Sequence, residues 1–495
     1  MVKMMINTYT SNNIKRLGKI FFLVPLIFMF FCPSLGLGGI ETFRLPLYYL
    51  LFPIFLGFIL IINPIKFFKQ IINLFRKRPS KYLMYLFVWI FVVSIINYFI
   101  GRYGLSLHKI FNRFFFTLFI NIICVFLYCF FVMQISLTIK NLIKFLCTAY
   151  MFIFIFGIVQ FLGAFFNITF IQNLSLLIGN LSNIFYSDGV CLTEFSTITR
   201  VYSVFREPGL FASFIAINMP IIYQITKSKF KIYKNNLLNL VIKKTIIVLM
   251  IINLLLTQSP IYFIICLVIS LCFYINDIKY FILKHYNIFI LLVTFFVVIN
   301  IFFIFFTDIN LKETFLIRII NVISLLFNFS LDKFLEVEAS LATRVICYYQ
   351  QILLWLKHPI IGIGYGNLGY IVINQLQNSS IVLTPEIIYN LEKSKDTLTS
   401  LNTNVFYTLL YQTGIVGTII YIFYMIKNIN ILKKIENLYI GIEKDFCIGI
   451  RKTVAVILLL SIIYNINLAF GIMVYLGIST TLIFNAKQHR RKIIQ

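Results

Sequence analysis

The sequence predicts an all-α polytopic membrane protein of about twelve transmembrane helices with one long outer loop. Three observations lead there. Of the 495 residues, 60% are hydrophobic and only 12% are charged, where a soluble domain carries roughly 25% charged residues. Apolar runs close to the ~20 residues that cross a bilayer recur along the whole length. The basic residues, finally, gather on alternate connections. With mean hydropathy at +0.94 and 56 Phe, the apolar surface exceeds what a water-soluble core could hide. A disordered chain, a small disulfide scaffold and a soluble multidomain enzyme are all excluded.

The spans fall at about 20–35, 45–63, 82–100, 114–136, 145–167, 208–226, 245–258, 260–276, 287–307, 405–426, 453–468 and 470–486. The first is read as retained: Lys15, Arg16 and Lys19 precede the apolar stretch Ile20 to Phe31, and no small-x-small cleavage site follows it cleanly. With the N-terminus inside, the cytoplasmic segments hold 30 of the 43 Lys and Arg and 4 of the 16 acids. Inside is then +26 and outside +1, the asymmetry the positive-inside rule demands. The net charge of +27 is thus a topology signal, and no nucleic-acid partner is needed to explain it. Membrane lipid is the partner it implies.

The chain divides into 1–207, with five helices and a first outer loop; 208–307, with helices six to nine; 308–404, a long outer loop; and 405–495, with the last three helices and a cytoplasmic tail. The cytoplasmic connections read as little more than Lys-rich anchors. A stretch from Phe315 to Phe329 resembles a span but contains Arg318. Crossing there would turn the Lys-rich 427–452 segment outward, so it is assigned to the loop. The nine cysteines show no CxxC pairing and read mostly as small hydrophobes, although Cys191 and Cys347 would share the outer side.

Polar residues concentrate in the outer loops. Loops as long as 308–404 are usually functional or carry structure of their own. Within it, Leu341, Val345, Tyr348, Ile352 and Trp355 recur at a helical period over Ser340 to Lys357. Ser340 is the candidate cap and Pro359 the stop. Arg344, Tyr348 and Gln351 then share one face, on a helix lying at the membrane surface or across the mouth of the bundle.

Four motifs carry chemistry. Arg200, Arg206 and Glu207 precede Pro208, which suits a first helical turn. Two guanidiniums beside a helix N-terminus also make an anion site. Thr257-Gln258-Ser259-Pro260 breaks an apolar stretch, with Ser259 and Pro260 as a helix start and a turn near the outer face as the alternative. His358-Pro359-Ile360-Ile361-Gly362-Ile363-Gly364-Tyr365-Gly366-Asn367-Leu368-Gly369 holds a literal GxGxxG. It follows a helix rather than a strand, so it is no dinucleotide fingerprint. Its glycines serve positive-φ turns or a close backbone approach to a bulky ligand. Asn402 or Asn404 caps the tenth span, where Gly414 and Gly417 would allow close helix packing. The four His assemble no metal site, and metal-independent chemistry without a cofactor is the expectation.

In this order, Arg200-x-x-Ser-x-Phe-x-Glu-Pro-Gly-x-x-Ala, the Thr-x-Ser break, the Arg344 helix running into His-Pro-x-x-Gly-x-Gly-x-Gly, and Asn404-x-x-Tyr followed by Gly-x-x-Gly resemble the O-antigen ligase/polymerase superfamily over roughly residues 195–425. The resemblance implies a GT-C-like multispan enzyme at the outer face of the bacterial inner membrane. Such enzymes transfer a glycan from undecaprenyl pyrophosphate to an acceptor, with no metal or nucleotide sugar. Arg200 and Arg344 match the arginines thought to hold the pyrophosphate. Pro260 stands where many members have Arg. Thr403 stands where ligases carry His, which favours a repeat-unit polymerase over a ligase joining polymer to lipid A core. A flippase or other transporter is the non-enzyme alternative, disfavoured because internal repeats and midplane charges are missing. Among the residues, Glu207 is the carboxylate best placed as general base. Arg206, His358, Tyr365, Asn367 and Asn404 are the candidate substrate-binding residues. A lipid-linked oligosaccharide is the implied substrate, with a chain-length regulator as a candidate further partner.

Overall fold

A computed structural model describes residues 24–26, 47–62, 64–76, 79–101, 107–112, 119, 123–135, 138–166, 168–174, 201, 203, 205, 208–229, 231, 235–257, 259–284, 294, 339–365, 405–463 and 473–494. The described residues are mostly helical, with no strand among them. In order the helices are α1 (Leu47–Ile62), α2 (Pro64–Arg76), α3 (Ser80–Phe99), α4 (Leu107–Asn112), α5 (Val125–Ile135), α6 (Ile139–Phe165), α7 (Pro208–Lys227), α8 (Asn236–Leu256), α9 (Pro260–Lys284), α10 (Ala339–Lys357), α11 (Val405–Ile435), α12 (Ile442–Ile463) and α13 (Val474–Ile494). Five helices among the described residues are long and apolar enough to cross a membrane: α3, α6, α7, α8 and α11. The expected spans at 20–35 and 287–307, and the rejected stretch 315–329, lie almost wholly outside the described residues.

The apolar residues that the helices leave exposed say what surrounds them. Ile54, Phe58, Val88, Val248, Ile251, Leu267, Ile419 and Phe423 all face outward, where water would penalise them and lipid does not. Inside, α12 packs against α7, α11 and α13. Gly449 lets it reach the α7 backbone, since a Cβ there would stand 3.1 Å from Ile221 Cα. A Cβ at Gly477 of α13 would stand 2.7 Å from Cys129 Cβ on α5. Small residues at such seams are how membrane helices come close enough for dispersion to hold them. Polar bonds pin the same helices: Tyr421 and Ser461 hydroxyls meet at 2.8 Å, and Asn428 Nδ2 donates to Ser479 Oγ at 3.0 Å. Tyr150 and Tyr475 both donate to Asn218 Oδ1.

One end of the bundle collects the charged pairs. Lys227 meets Asp277 at 2.6 Å, joining the ends of α7 and α9, and Arg451 meets Glu436 at 2.8 Å. Lys452 Nζ lies 4.0 Å from the Tyr274 ring centre. All but Tyr274 belong to segments that the charge count assigns inside, and they gather at one end of the bundle. Cysteine labelling should accordingly find residues 235 and 440 protected from an external reagent and residues 330 and 390 modified. A cytoplasmic 390 would invert the map.

Two expectations need correction here. The segment 64–76 is more than an anchor. It is α2, bent 117° from the helix before it, with Phe67 and Leu74 buried while Ile65, Phe68 and Ile72 stay exposed beside Lys66 and Lys69. An apolar face with flanking cations suits a helix lying in the headgroup plane. And α10 begins at Ala339, so Ser340 is inside the helix rather than its cap. Cys347 on α10 is a buried thiol, and Cys191 lies outside the described residues.

Candidate functional site

Two polar knots form on the side away from the charged pairs. The first gathers the Arg200-to-Pro208 motif. Val201, Ser203 and Phe205, along a short strip of chain, are all buried. Val201 N donates to Leu256 O at 3.0 Å, so the strip docks against the last turn of α8, one residue before Thr257. Ser203 has φ 52, a left-handed conformation that few non-glycine residues adopt. Two bonds hold it there: Gln160 Oε1 accepts from Ser203 N at 2.8 Å, and Ile153 O accepts from Ser203 Oγ at 2.6 Å. Both partners are on α6. Phe205 packs 5.0 Å from Phe214 and 5.5 Å from Phe211 on α7. The strip is thus pinned by three helices, immediately before Pro208 starts the α7 helix.

The break after α8 lies beside that strip, as the polar spacing suggests. Thr257 is fully buried and its hydroxyl donates to Leu254 O at 2.7 Å. Ser259 O accepts from Phe263 N at 3.1 Å, closing the first turn of α9 at Pro260. The helix-start reading of Ser259-Pro260 holds, and so does the turn that brings it to the arginine motif. Asn253, one turn earlier on α8, donates to Phe154 O at 3.0 Å and Leu249 O at 2.7 Å, while its Oδ1 has no partner among the described residues.

The second knot is the glycine loop. Lys357 ends α10, and the chain reverses over Pro359 to Tyr365 with Gly362 and Gly364 at positive φ, 65 and 87. The turn reading of these glycines is right, and the bulky object their backbone approaches is α11. There the helix breaks at Gly414 (φ 68, ψ −172). A break leaves carbonyls without their i+4 donors. Each finds a substitute: Tyr411 O accepts from Ile363 N at 2.9 Å, Gln412 O from Gly364 N at 2.9 Å, and Thr413 O from Trp89 Nε1 at 2.9 Å. In return Ile415 N donates to Pro359 O at 2.8 Å. Gly362 cannot carry a side chain, because a Cβ would stand 2.5 Å from Gln412 C. The α3 helix holds the loop from its other side. Asn97 Nδ2 donates to Gly362 O at 3.4 Å and Ser94 Oγ accepts from Tyr365 N at 2.9 Å. Gly414 therefore marks a helix break as well as a close approach, and at Gly417 a Cβ would stand 3.0 Å from Trp89 Cδ1 of α3, the close helix packing that the spacing suggested.

These contacts orient α10. The Tyr348 and Tyr407 rings stack at 4.8 Å, and Pro359 meets Ile415 eight residues further along α11. The two helices run side by side in the same direction, so α10 lies along the part of α11 that precedes the Gly414 break. Of the residues singled out for binding, His358 closes the end of α10, its N donating to Trp355 O at 2.9 Å. Tyr365 is 7% exposed and packs with the hydrophobic core. Arg344 stands on α10, one turn before Tyr348. Arg200, Arg206, Glu207, Asn367 and Asn404 lie outside the described residues.

Sequence reading passed over the residues that build both knots: Gln160, Trp89, Ser94 and Asn97. A signal existed for the last two, since Ser94 and Asn97 are polar residues one turn apart in an otherwise apolar span. Gln160 and Trp89 have no such signature.

Residues 245–422 match the family model described as O-Antigen ligase (Wzy_C). That range runs from α8 through the break before α9, α10 and the glycine loop to the Gly414 break, and it leaves the Arg200-to-Glu207 motif outside. No curated protein matches the chain.

Proposed function

We propose, from the premise that residues 245–422 carry the O-antigen ligase domain and place the chain in the O-antigen ligase/polymerase superfamily, that this protein is a repeat-unit polymerase. It has about twelve spans in a GT-C-like arrangement in the bacterial inner membrane. It moves a growing glycan from undecaprenyl pyrophosphate onto the next lipid-linked repeat at the outer face. The observation that supports the reading is the Val201–Leu256 bond, which ties the residue after Arg200 to the last turn of α8, inside the matched range.

The chemistry follows from the residue types. An acceptor sugar hydroxyl attacks the anomeric carbon, the bond from that carbon to the pyrophosphate oxygen breaks, and the lipid pyrophosphate leaves with the electron pair. Stabilising that developing charge is the main requirement, and Arg200 and Arg344 supply it, with Arg206 in support. Glu207, at the positive end of α7, takes the hydroxyl proton. The donors and carboxylate suffice without a metal or nucleotide cofactor. Thr403 in place of the ligase His favours polymerase over ligase, and a flippase is the remaining alternative.

A deletion strain separates the three. Loss of a polymerase leaves surface lipid A core bearing a single repeat. Loss of a ligase accumulates polymer on undecaprenyl pyrophosphate, and loss of a flippase traps single repeats inside. The single-repeat pattern on a gel of surface glycolipid is the expected result. Glu207→Gln should reproduce it, because the amide keeps shape and hydrogen bonding but takes no proton at neutral pH. Wild-type ladders from Glu207→Gln would reduce Glu207 to a helix-start residue.

A further inference from the structure

The helices α10 and α11, which pack together, each carry buried polar atoms that have no hydrogen-bond partner among the described residues. Gln351 is 1% exposed, and neither its amide oxygen nor its amide nitrogen is bonded. Gln412 is 0% exposed; its Nε2 donates to the Tyr411 hydroxyl at 3.0 Å, and its Oε1 is unpaired. Thr408, one turn above it and 7% exposed, has an unpaired hydroxyl.

The three are brought to one level by the helix register. Tyr348 stacks on Tyr407 and Pro359 bonds to Ile415, so α10 and α11 advance together. Gln351 follows Tyr348 by three residues on the same face, about 4.5 Å along the axis. It therefore lies level with residues 410–411, between Thr408 and Gln412.

A buried amide with both ends unmatched is destabilising, and native proteins keep few such groups. Three in one seam ask for a shared partner. Their chemistry defines it: one amide offering donor and acceptor, one amide oxygen accepting, one hydroxyl doing either, and no charge among them. A phosphate, which at neutral pH mainly accepts, would leave the amide oxygens of Gln351 and Gln412 unpaired. A neutral polyol, whose hydroxyls both donate and accept, matches. We propose that Gln351, Thr408 and Gln412 form a subsite for the hydroxyls of one sugar ring of the transferred glycan, apart from the groups that hold its pyrophosphate. This rests on the polymerase reading above. It assigns part of the glycan selectivity to the line where the outer loop's helix α10 meets α11.

The test uses the full chain purified in detergent and two probes: undecaprenyl pyrophosphate carrying the repeat unit, extracted from the deletion strain, and bare undecaprenyl pyrophosphate. The wild type should bind the glycosylated probe about tenfold more tightly than the bare one. Gln351→Leu and Thr408→Val, singly and together, should bring that ratio to within about twofold while leaving the affinity for the bare lipid unchanged. Because these substitutions remove unpaired buried groups, the ligand-free Tm should hold or rise. A preserved ratio overturns the subsite and leaves the polymerase reading standing. So does a fall in Tm with equal weakening for both probes, which would assign these residues to packing. A wild type that binds neither probe overturns the polymerase reading and the subsite with it.

Discussion

If the chain is the proposed polymerase, Arg200→Ala and Arg344→Ala should each collapse the polymer ladder while the protein still inserts. A charge-assisted contact to phosphate contributes roughly 1.5–3 kcal/mol, and each ~1.4 kcal/mol lost from transition-state stabilisation is a decade in rate. One to two decades per arginine is therefore the expected loss. Repeated over every addition of a processive reaction, such a loss reads as short or missing chains. Lys at either position should recover only part, because an ammonium is a point charge and cannot grip two oxygens in a plane. The measurement is the surface glycolipid ladder, with an immunoblot of the membrane fraction as the control for insertion. Normal ladders from both Ala variants would remove the arginines from the mechanism. Val201, the next residue, is bonded to α8, and Ser203 to α6.

The second large effect is structural. Gly414→Ala should leave little folded protein. The residue sits at φ 68, ψ −172, a region essentially restricted to glycine and costing a side-chain residue about 1–3 kcal/mol. A Cβ there would also overlap Ile360 O. To relieve both, α11 must straighten, and then the bonds from Ile363 N, Gly364 N and Trp89 Nε1 to its carbonyls are lost together. Gly57→Ala is the control. A methyl at that position in α1 would meet nothing within 4 Å among the described residues, and alanine is the better helix former by about 1 kcal/mol. Thermal unfolding in detergent should show Gly57→Ala at or above wild type and Gly414→Ala far below it. Equal midpoints for the two variants would mean that the break is not a structural requirement.

Much of the architecture is written in local chemistry. A proline is tolerated in the first turn of a helix, and Pro208 and Pro260 both begin one. Pro359 ends α10 for the converse reason. The charge count separates inside from outside before any helix is placed. What stays hidden is long-range pairing. No local rule links residues 359–365 to 411–415, because a hydrogen bond between backbones leaves no mark on the side chains that flank it. Ser203 shows another limit: its φ of 52 is imposed by Gln160 and Ile153, some fifty residues away, and serine does not advertise it as glycine would. The α2 helix was legible and was passed over, because Lys66 and Lys69 were counted for charge while the period of Phe67 and Leu74 went unused. The family resemblance was carried by the polar motifs, and the matched range 245–422 contains three of the four.

The break in α11 also bears on how the protein is assembled. When α11 first partitions from the translocon into lipid, a broken helix would present the carbonyls of Tyr411, Gln412 and Thr413 to hydrocarbon, at a cost of several kcal/mol for each unsatisfied group. A continuous helix is then the favoured entrant. The break becomes favourable only once the loop from Pro359 to Tyr365 and the indole of Trp89 are at hand to donate to the released carbonyls. Forming the break is thus an exchange of hydrogen bonds, one of which joins residues 324 positions apart in the chain.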